Sequence, residues 1–190
     1  MPIKVCLYIS TFLPGGAERQ IVNLAGELAR RGLEVTLLHA QKDMRQAHYL
    51  EALEKSGVAI VNVMSPDFLK EGLRLSREHA DFFAQIPAPH TLKLGMLFLA
   101  GAFSRLRPDV VHSYLDIPNC SAGCAAILAE VPVHLASIRN MDPATTGYEF
   151  ADLTFSLYRY LLDRGRSRFE ANSRTSVRLE VENIEFIQEF

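Results

Sequence analysis

The chain alternates short apolar runs with longer stretches in which apolar residues recur at helical spacing. Residues 3–9 are nearly continuously apolar and β-prone, a pattern typical of a strand buried on both faces of a parallel sheet. In the next stretch the apolar positions have helical spacing: Ala17, Ile21, Leu24, Ala25 and Leu28. Gly32, behind two arginines, predicts the end of this helix, and residues 33–40 complete a strand–helix–strand unit.

The same alternation continues to residue 172. It predicts helices over residues 44–56, 67–85, 91–106, 118–130 and 146–164. It predicts further strands over residues 58–64, 110–114, 132–138 and 168–172. Strands that alternate with helices indicate a three-layer α/β fold, Rossmann-like, with a mostly parallel sheet.

Composition and charge narrow the possible classes of protein. A chain of 190 residues is long enough for one domain with a sizeable core. The formal net charge of −2 argues against a nucleic-acid partner, because phosphate neutralisation needs a clustered basic surface. No targeting signal is visible, and the longest apolar stretch, residues 94–103, is too short to span a bilayer. A cytoplasmic protein is therefore expected.

Cysteine usage fits the same location. The three cysteines make no disulfide framework, and an odd number fits a reducing compartment. Cys120 and Cys124 lie one helical turn apart, which permits metal ligation, but packing between helices is the favoured interpretation.

In an open parallel sheet, ligands bind beyond the carboxyl ends of the strands. The segments expected to line one crevice there are residues 11–16, 39–42, 113–119 and 139–142. Gly15 and Gly16 leave backbone N–H groups bare at a helix N-terminus, which suits a phosphate or carboxylate. The alternative is a tight strand-to-helix turn with no ligand. The chain contains neither G-x-G-x-x-G nor a P-loop, which disfavours a Rossmann dehydrogenase and a P-loop enzyme.

Four motifs, taken in order, carry a resemblance to a known family. They are Phe-Leu-Pro-Gly-Gly-Ala-Glu-Arg-Gln-Ile-Val-Asn-Leu-Ala at 12–25, Arg-Pro-Asp-Val-Val-His at 107–112, Ser-Ile-Arg-Asn at 137–140 and Ala-Asn-Ser at 171–173. Together they resemble family 4 glycosyltransferases over residues 3–175.

The resemblance implies that residues 1–175 are the Rossmann-like acceptor-side domain of a two-domain GT-B glycosyltransferase, followed by a tail at 176–190 and without the donor-binding domain. It implies a retaining enzyme that uses a nucleotide sugar as substrate, with no resident cofactor and no metal. The acceptor would be a carbohydrate or a lipid-linked molecule in polysaccharide or glycolipid synthesis. The chain alone is expected to be inactive, because the nucleoside diphosphate is gripped by the missing domain.

The resemblance also assigns the Gly-Gly loop. Gly15 and Gly16 are implied to face the interdomain cleft and to approach the donor diphosphate or the transferred sugar. Glu18 and Arg19 match the family's Gly-Gly-Ala-Glu-Arg variant. Arg19 is a candidate for contact with an anionic group, and a solvated surface arginine is the alternative.

Five further residues are site candidates. Members of the family often carry a second His two positions after the one matched by His112, but this chain has Tyr114 there. A tyrosine is a poor base at neutral pH, so His112 and Tyr114 are taken to line the site and no catalytic residue is identified. Asp116 and Asn119 are candidates for binding acceptor hydroxyls, with ordinary loop polarity as the alternative. Arg139 is a candidate clamp for phosphate or carboxylate.

Peripheral membrane contact is a weaker hypothesis. Basic residues accompany the apolar segment 92–103: Lys70, Arg74, Arg77, Lys93, Arg105 and Arg107. A buried packing helix is the favoured alternative.

Two other functions stay open from the sequence. One is a non-catalytic or split-enzyme subunit that needs a separate donor-binding chain. The other is an unrelated flavodoxin-like ligand-binding domain.

Overall fold

The computed structural model describes residues 1–53, 56–139 and 150–171. Within these ranges six strands form one sheet: β1 Lys4–Tyr8, β2 Glu34–His39, β3 Ala59–Asn62, β4 Val110–Tyr114, β5 Val133–Ile138 and β6 Ser167–Ala171. Every pairing is parallel, and the strand order is β3-β2-β1-β4-β5-β6. The predicted three-layer, Rossmann-like α/β fold is confirmed.

Helices cover both faces of this sheet: α1 Gly16–Arg30, α2 Pro66–Glu78, α3 Ala80–Gln85, α4 His90–Leu106, α5 Asp116–Leu128 and α6 Ala151–Leu162. Ile21 and Val22 of α1 pack with Leu7 on one face. On the other face, Leu99 of α4 and Ala122 of α5 pack with strand residues such as Tyr8. Because side chains alternate along each strand, the two clusters bury alternate residues of the same strands.

The strand order fixes where a ligand crevice lies. Starting from β1, the chain first builds the sheet outward through β2 and β3, and then returns to place β4 on the other side of β1. This is the doubly wound 3-2-1-4-5-6 order and differs from the flavodoxin-like order, so the flavodoxin-like alternative is not supported. The order reverses between β1 and β4, which places the crevice at the carboxyl ends of these two strands.

The predicted helix over 44–56 is wrong. The structure has two short 3-10 helices there, Met44–Gln46 and Leu50–Leu53, and residues 54–55 lie outside the described part. Asp43 caps the first by accepting from the Arg45 N–H, and Tyr49 then adopts a left-handed φ of 69°. The N–H of His48 donates to the Phe12 carbonyl at 2.8 Å. This tertiary hydrogen bond removes a donor that a continuous helix would need.

The single helix predicted over 67–85 is two helices. His79 lies between α2 and α3 and caps both helices, and its backbone dihedral angles are not helical. The Nζ of Lys93 then lies 3.1 Å from the Phe83 carbonyl oxygen and 3.2 Å from that of Ala84, and so satisfies the last carbonyls of α3. The start predicted at 146 for the last helix, and residue 172 of the last strand, lie outside the described residues.

Helices α2 and α4 approach each other at two glycines. A Cβ on Gly72 would overlap the backbone of Leu97, and a Cβ on Gly101 would overlap the backbone of Phe68. Met96 to Phe103 of α4 are buried, so the apolar segment serves the core, as the packing alternative expects. Within the described residues, no helix combines the length and the apolar character needed to cross a bilayer.

Candidate functional site

The loop between β1 and α1 is held in place by hydrogen bonds to the loop that follows β2. Phe12 is fully buried, and its N–H donates to Oε1 of Gln41 at 2.6 Å. The Nε2 of Gln41 donates to the Asp43 carbonyl at 2.8 Å. Gln41 thus anchors the loop that leads into Gly15 and Gly16. Gln41 lies in segment 39–42, which the sequence predicts to line the crevice, but no motif marks this residue.

The two glycines differ in their surroundings. Gly15 is the N-cap of α1 in an extended conformation, and the carboxylate of Glu18 folds back over it, where a Cβ would otherwise sit. Gly16 is exposed, and a Cβ there would meet nothing within 4 Å. Arg19 is exposed and, among the described residues, forms no ion pair. The bend is therefore open at Gly16 and screened by a carboxylate at Gly15.

A second group of polar side chains lies at the carboxyl ends of β4, β5 and β6. The strand register aligns Tyr114 with Ser137 and Ser137 with Glu170, so these three side chains share a face of the sheet. His112, two residues before Tyr114, shares that face, as the alternation predicts. We call His112, Tyr114, Ser137, Arg139 and Glu170 the rim cluster.

The Glu170 carboxylate is the centre of the rim cluster. Its Oε1 accepts from Nη2 of Arg139 at 2.7 Å and lies 3.2 Å from Nε2 of His112. The Ser137 hydroxyl donates to the same oxygen and lies 2.6 Å from the His112 Nε2. Because Ser137 donates to the carboxylate, the His112 Nε2 is assigned as the protonated ring nitrogen.

Aromatic contacts complete the rim cluster. The ring centroids of His112 and Tyr114 are 4.8 Å apart, and the Arg139 guanidinium carbon lies 5.1 Å from the Tyr114 centroid. Burial is the largest cause of the raised pKa of the Tyr114 hydroxyl, so this group stays protonated at neutral pH. Tyr114 also belongs to the same buried core as Phe12 and Ile21, which connects the rim cluster to the Gly-Gly loop through packing.

The electrostatics of the rim cluster are set by Glu170. The pKa of the Glu170 carboxyl is lowered to about 2, chiefly by the hydrogen bond from His112. The hydrogen bond from Ser137 and the charge of Arg139 act in the same direction, and together these interactions outweigh the desolvation of the carboxylate. Arg139, a candidate clamp for phosphate or carboxylate from the sequence, is thus already paired with the carboxylate of Glu170. Its buried Nε has no hydrogen-bond partner among the residues that the structure describes.

Asp116 and Asn119 belong to a buried network rather than to an open surface. Asp116 accepts from the Tyr158 hydroxyl at 2.9 Å. Asn119 has no exposed surface, accepts from Ser113 at 2.8 Å and donates to the Ser137 carbonyl at 2.9 Å. These bonds join the sheet to α5 and α6. The prediction that Asp116 and Asn119 bind acceptor hydroxyls thus has no support from their exposure.

The two neighbouring cysteines are also interior residues. Cys120 and Cys124 are fully buried against α6, and burial raises the pKa of the Cys124 thiol to about 12. This burial agrees with the packing interpretation. Among the described residues, no three His, Cys, Asp or Glu side chains are grouped to hold a metal ion.

A groove of about 650 Å³ lies away from these residues, near the amino ends of the strands. Its lining includes Arg74, Glu78, Arg107, Asp109 and Glu130. Arg74 is paired with Glu71 and Glu78, so part of this charge is already neutralised. We place the candidate site at the carboxyl edge instead, because open α/β sheets bind ligands there.

The structure therefore gathers seven of the nine sequence candidates into two groups on one edge of the sheet, and Asp116 and Asn119 belong to neither group. Gly15, Gly16, Glu18 and Arg19 surround the start of α1, and His112, Tyr114 and Arg139 lie in the rim cluster. In the described ranges no hydrogen bond or ion pair joins the two groups. Ser137 and Glu170 were not predicted from the sequence; the signal that points to Glu170 is a carboxylate near the carboxyl end of a predicted parallel strand.

Comparisons with known proteins bear on the fold and on the family. Among solved structures, HepE of Anabaena, crystallised with UDP and glucose, superposes with a TM-score of 0.61 at 16% identity, covering 92% of this chain and 39% of HepE. WbmH of Bordetella bronchiseptica, crystallised with NAD⁺, gives a TM-score of 0.50 at 13% identity, covering 90% of this chain and 55% of WbmH. The chain thus spans less than two thirds of either protein. At these identities the two structures show a shared fold and no more.

The sequence itself supplies the family. No curated protein matches the chain. The model of Glycosyltransferase Family 4 matches residues 14–178, which include the Gly-Gly turn and the strands that carry the rim cluster. The match covers most of the chain, and the chain therefore belongs to glycosyltransferase family 4.

Proposed function

We propose that this chain is the acceptor-binding half of a retaining, sugar-nucleotide-dependent glycosyltransferase of the GT-B type, acting in polysaccharide or glycolipid synthesis. The observation that carries the proposal is the open Gly16 at the start of α1, on the same edge of the sheet as the rim cluster, in a chain of family 4. The glucose and UDP held by HepE support a nucleotide sugar as the donor class.

The Gly-Gly loop supplies part of the chemistry. Backbone N–H groups at the first turn of α1, with the positive end of the helix dipole, stabilise negative charge on a departing nucleoside diphosphate. Transfer also needs stabilisation of the cationic sugar centre and exclusion of water. One loop provides only a fraction of this stabilisation. We therefore propose that a donor-binding domain must cover the crevice before sugar is transferred.

The rim cluster contributes binding and orientation. Contacts with Glu170 restrict the side chains of His112 and Arg139. Restricted side chains suit the positioning of a substrate better than proton transfer. No general base is assigned, because Tyr114 stays protonated and His112 is hydrogen-bonded within the cluster. The substrate of this site would be the sugar acceptor or the transferred sugar.

A transfer assay tests the proposal. Purified chain is incubated with a panel of UDP-, GDP- and ADP-sugars and with polysaccharide and lipid-linked acceptors, first alone and then with a family 4 donor-binding domain supplied on the same polypeptide. We expect no transfer by the chain alone and transfer by the two-domain protein. Transfer by residues 1–190 alone would contradict the proposal that a second domain is required. A two-domain protein that binds donor but transfers nothing would sink the enzymatic assignment.

The alternative of a split enzyme is tested in the same series. It predicts that a donor-binding domain added as a separate chain restores transfer as well as a covalently joined one. Restoration only by the joined domain would contradict the split-enzyme function.

A further inference from the structure

Arg139 lies at the carboxyl edge of the sheet. Its guanidinium is a group that commonly binds anions, but it is already paired within the protein. A guanidinium binds phosphate through two parallel hydrogen bonds. In this structure the Arg139 Nη2 is instead 2.7 Å from the Glu170 Oε1, and the side chains of the pair are only 15% and 16% exposed. An incoming phosphate would have to displace Glu170 or approach its negative charge.

Glu170 is held firmly against such displacement. Its Oε1 accepts from the Ser137 hydroxyl and lies 3.2 Å from the His112 Nε2, in addition to the Arg139 contact. Three donors on one carboxylate oxygen make a charge-assisted network that is lost as a unit when the carboxylate moves. The charges of Arg139 and Glu170 cancel each other.

The charge-balanced pair of Arg139 and Glu170 matches hydroxyl groups. A sugar hydroxyl both donates and accepts a hydrogen bond, and the rim cluster places a carboxylate beside a guanidinium. The buried Arg139 Nε has no hydrogen-bond partner in the described part of the chain, and a ligand oxygen would satisfy it. The start of α1 carries the positive dipole end and the open Gly16, next to a Gly15 that the Glu18 carboxylate covers.

We propose that Glu170 is a positioning residue that determines specificity: by occupying Arg139 it makes the rim cluster reject phosphate and accept the uncharged hydroxyls of a sugar. The identity of the ligand as a sugar rests on the proposed function, whereas the rejection of anions follows from the cluster alone. The site is thereby divided, with anions at the start of α1 and neutral groups at the ends of β5 and β6.

The first test uses pyrophosphate as the probe. It is titrated into isotope-labelled chain, and the Arg139 Nε–Hε signal, assigned from its loss in Arg139→Lys, is followed by NMR. In the unsubstituted chain we expect no change of this signal at millimolar pyrophosphate. In Glu170→Gln the freed guanidinium is expected to bind pyrophosphate at least about tenfold more tightly. The gain should disappear in the double variant with Arg139→Lys, read from the neighbouring backbone signals.

Glu34→Gln is the matched control, since it removes the same charge at the far end of β2, where Glu34 pairs with Lys4. It should gain no pyrophosphate binding at Arg139. If Glu170→Gln fails to fold, Glu170→Asp withdraws the carboxylate by one methylene and should show a smaller gain in the same direction. Equal pyrophosphate binding at Arg139 in the unsubstituted and substituted chains overturns the proposal.

The second test uses a panel of neutral monosaccharides at high millimolar concentration. At least one is expected to shift the Arg139 signal of the unsubstituted chain and to shift it less in Glu170→Gln. A panel that leaves the signal unmoved overturns the assignment to hydroxyls. Absence of sugar transfer by a two-domain protein would count against the proposed function while leaving the pyrophosphate result intact, so the two failures are distinguishable.

Discussion

At the scale of single residues, Gly16 is a glycine that the packing of the fold does not require. It is the first residue of α1, it has no left-handed φ, and a Cβ there would meet nothing within 4 Å. Glycine in a helix costs up to about 1 kcal/mol relative to alanine. A residue that weakens a helix without a packing reason is understandable if a ligand approaches the backbone closely.

Gly16→Ala should therefore separate stability from binding. We expect the free energy of unfolding to stay the same or to rise by up to about 1 kcal/mol, and pyrophosphate binding to the backbone amides at the start of α1 to weaken. Urea denaturation and amide NMR shifts measure the two effects. Gly95→Ala is the control, because Gly95 is also helical with open space around its Cβ position and should change stability alone. Unchanged pyrophosphate shifts in Gly16→Ala would argue against a close approach at this loop.

Glu170 predicts a pH dependence at the same scale. Its pKa is lowered from an ordinary 4.5 to about 2, chiefly by the His112 hydrogen bond. A carboxyl whose pKa is depressed by folding stabilises the protein above its unfolded pKa, and this contribution is lost as the pH falls from about 4.5 toward 2. Glu170→Gln should be less stable at neutral pH and should show a flatter decline over that acid range.

Urea denaturation between neutral pH and pH 2 checks this prediction. Glu27→Gln is the comparison, since Glu27 also has a pKa lowered to about 2, by Arg30 and Arg31, but lies in a solvent-screened surface pair. Removing the Glu27 carboxylate should therefore change the acid limb, that is, the fall in the free energy of unfolding below about pH 4.5, less than removing that of Glu170. Identical acid limbs for Glu170→Gln and the unsubstituted chain would show that the network does not stabilise the fold.

At the scale of elements, the pair α2 and α4 depends on two glycines that face opposite backbones. Gly72→Ala and Gly101→Ala would each force the helices apart, because the added methyl meets backbone atoms that cannot rotate away. We expect each substitution to lower the free energy of unfolding by about 1–3 kcal/mol or more. Gly95→Ala, on the open side of α4, is again the control. A melting temperature unchanged by Gly101→Ala would show that the two helices are not in close contact.

Element boundaries show where local sequence was sufficient. Residues 3–9 and 110–114 were predicted as strands because buried parallel strands are apolar whatever their partners. The predicted helix at 44–56 was wrong because the decisive interactions come from elsewhere: the His48 N–H bonds to Phe12, more than 30 residues away. Helical spacing of apolar residues did not reveal that competing contact.

At the scale of the whole molecule, the hypothesis of peripheral membrane contact can be weighed against charge and burial. Of the basic residues near α4, Arg74 pairs with Glu71 and Glu78, Arg105 pairs with Asp67, and Lys93 binds the end of α3. The apolar residues of α4 are largely buried. Both observations reduce what this face offers to an anionic bilayer.

We accordingly expect little co-sedimentation of the chain with liposomes that contain anionic lipid. Lys70→Glu and Arg77→Glu, which invert two exposed basic residues of α2, should then change the sedimented fraction little. Strong, salt-sensitive sedimentation that these charge reversals abolish would contradict this prediction and support a membrane-facing α2.

The sequence by itself determined the alternation of strands and helices, the three-layer fold class and the Gly-Gly turn, because apolar periodicity and turn chemistry are local properties. It also placed His112, Tyr114 and Arg139 at strand ends. Only the tertiary structure decided that Glu170 occupies Arg139, that Gln41 holds the Phe12 loop, and that Asn119 lies inside a buried network. These contacts join residues 18 to 31 positions apart, on different strands, loops or helices, and strand order and register bring them together. Spacing along one chain carries no information about that order.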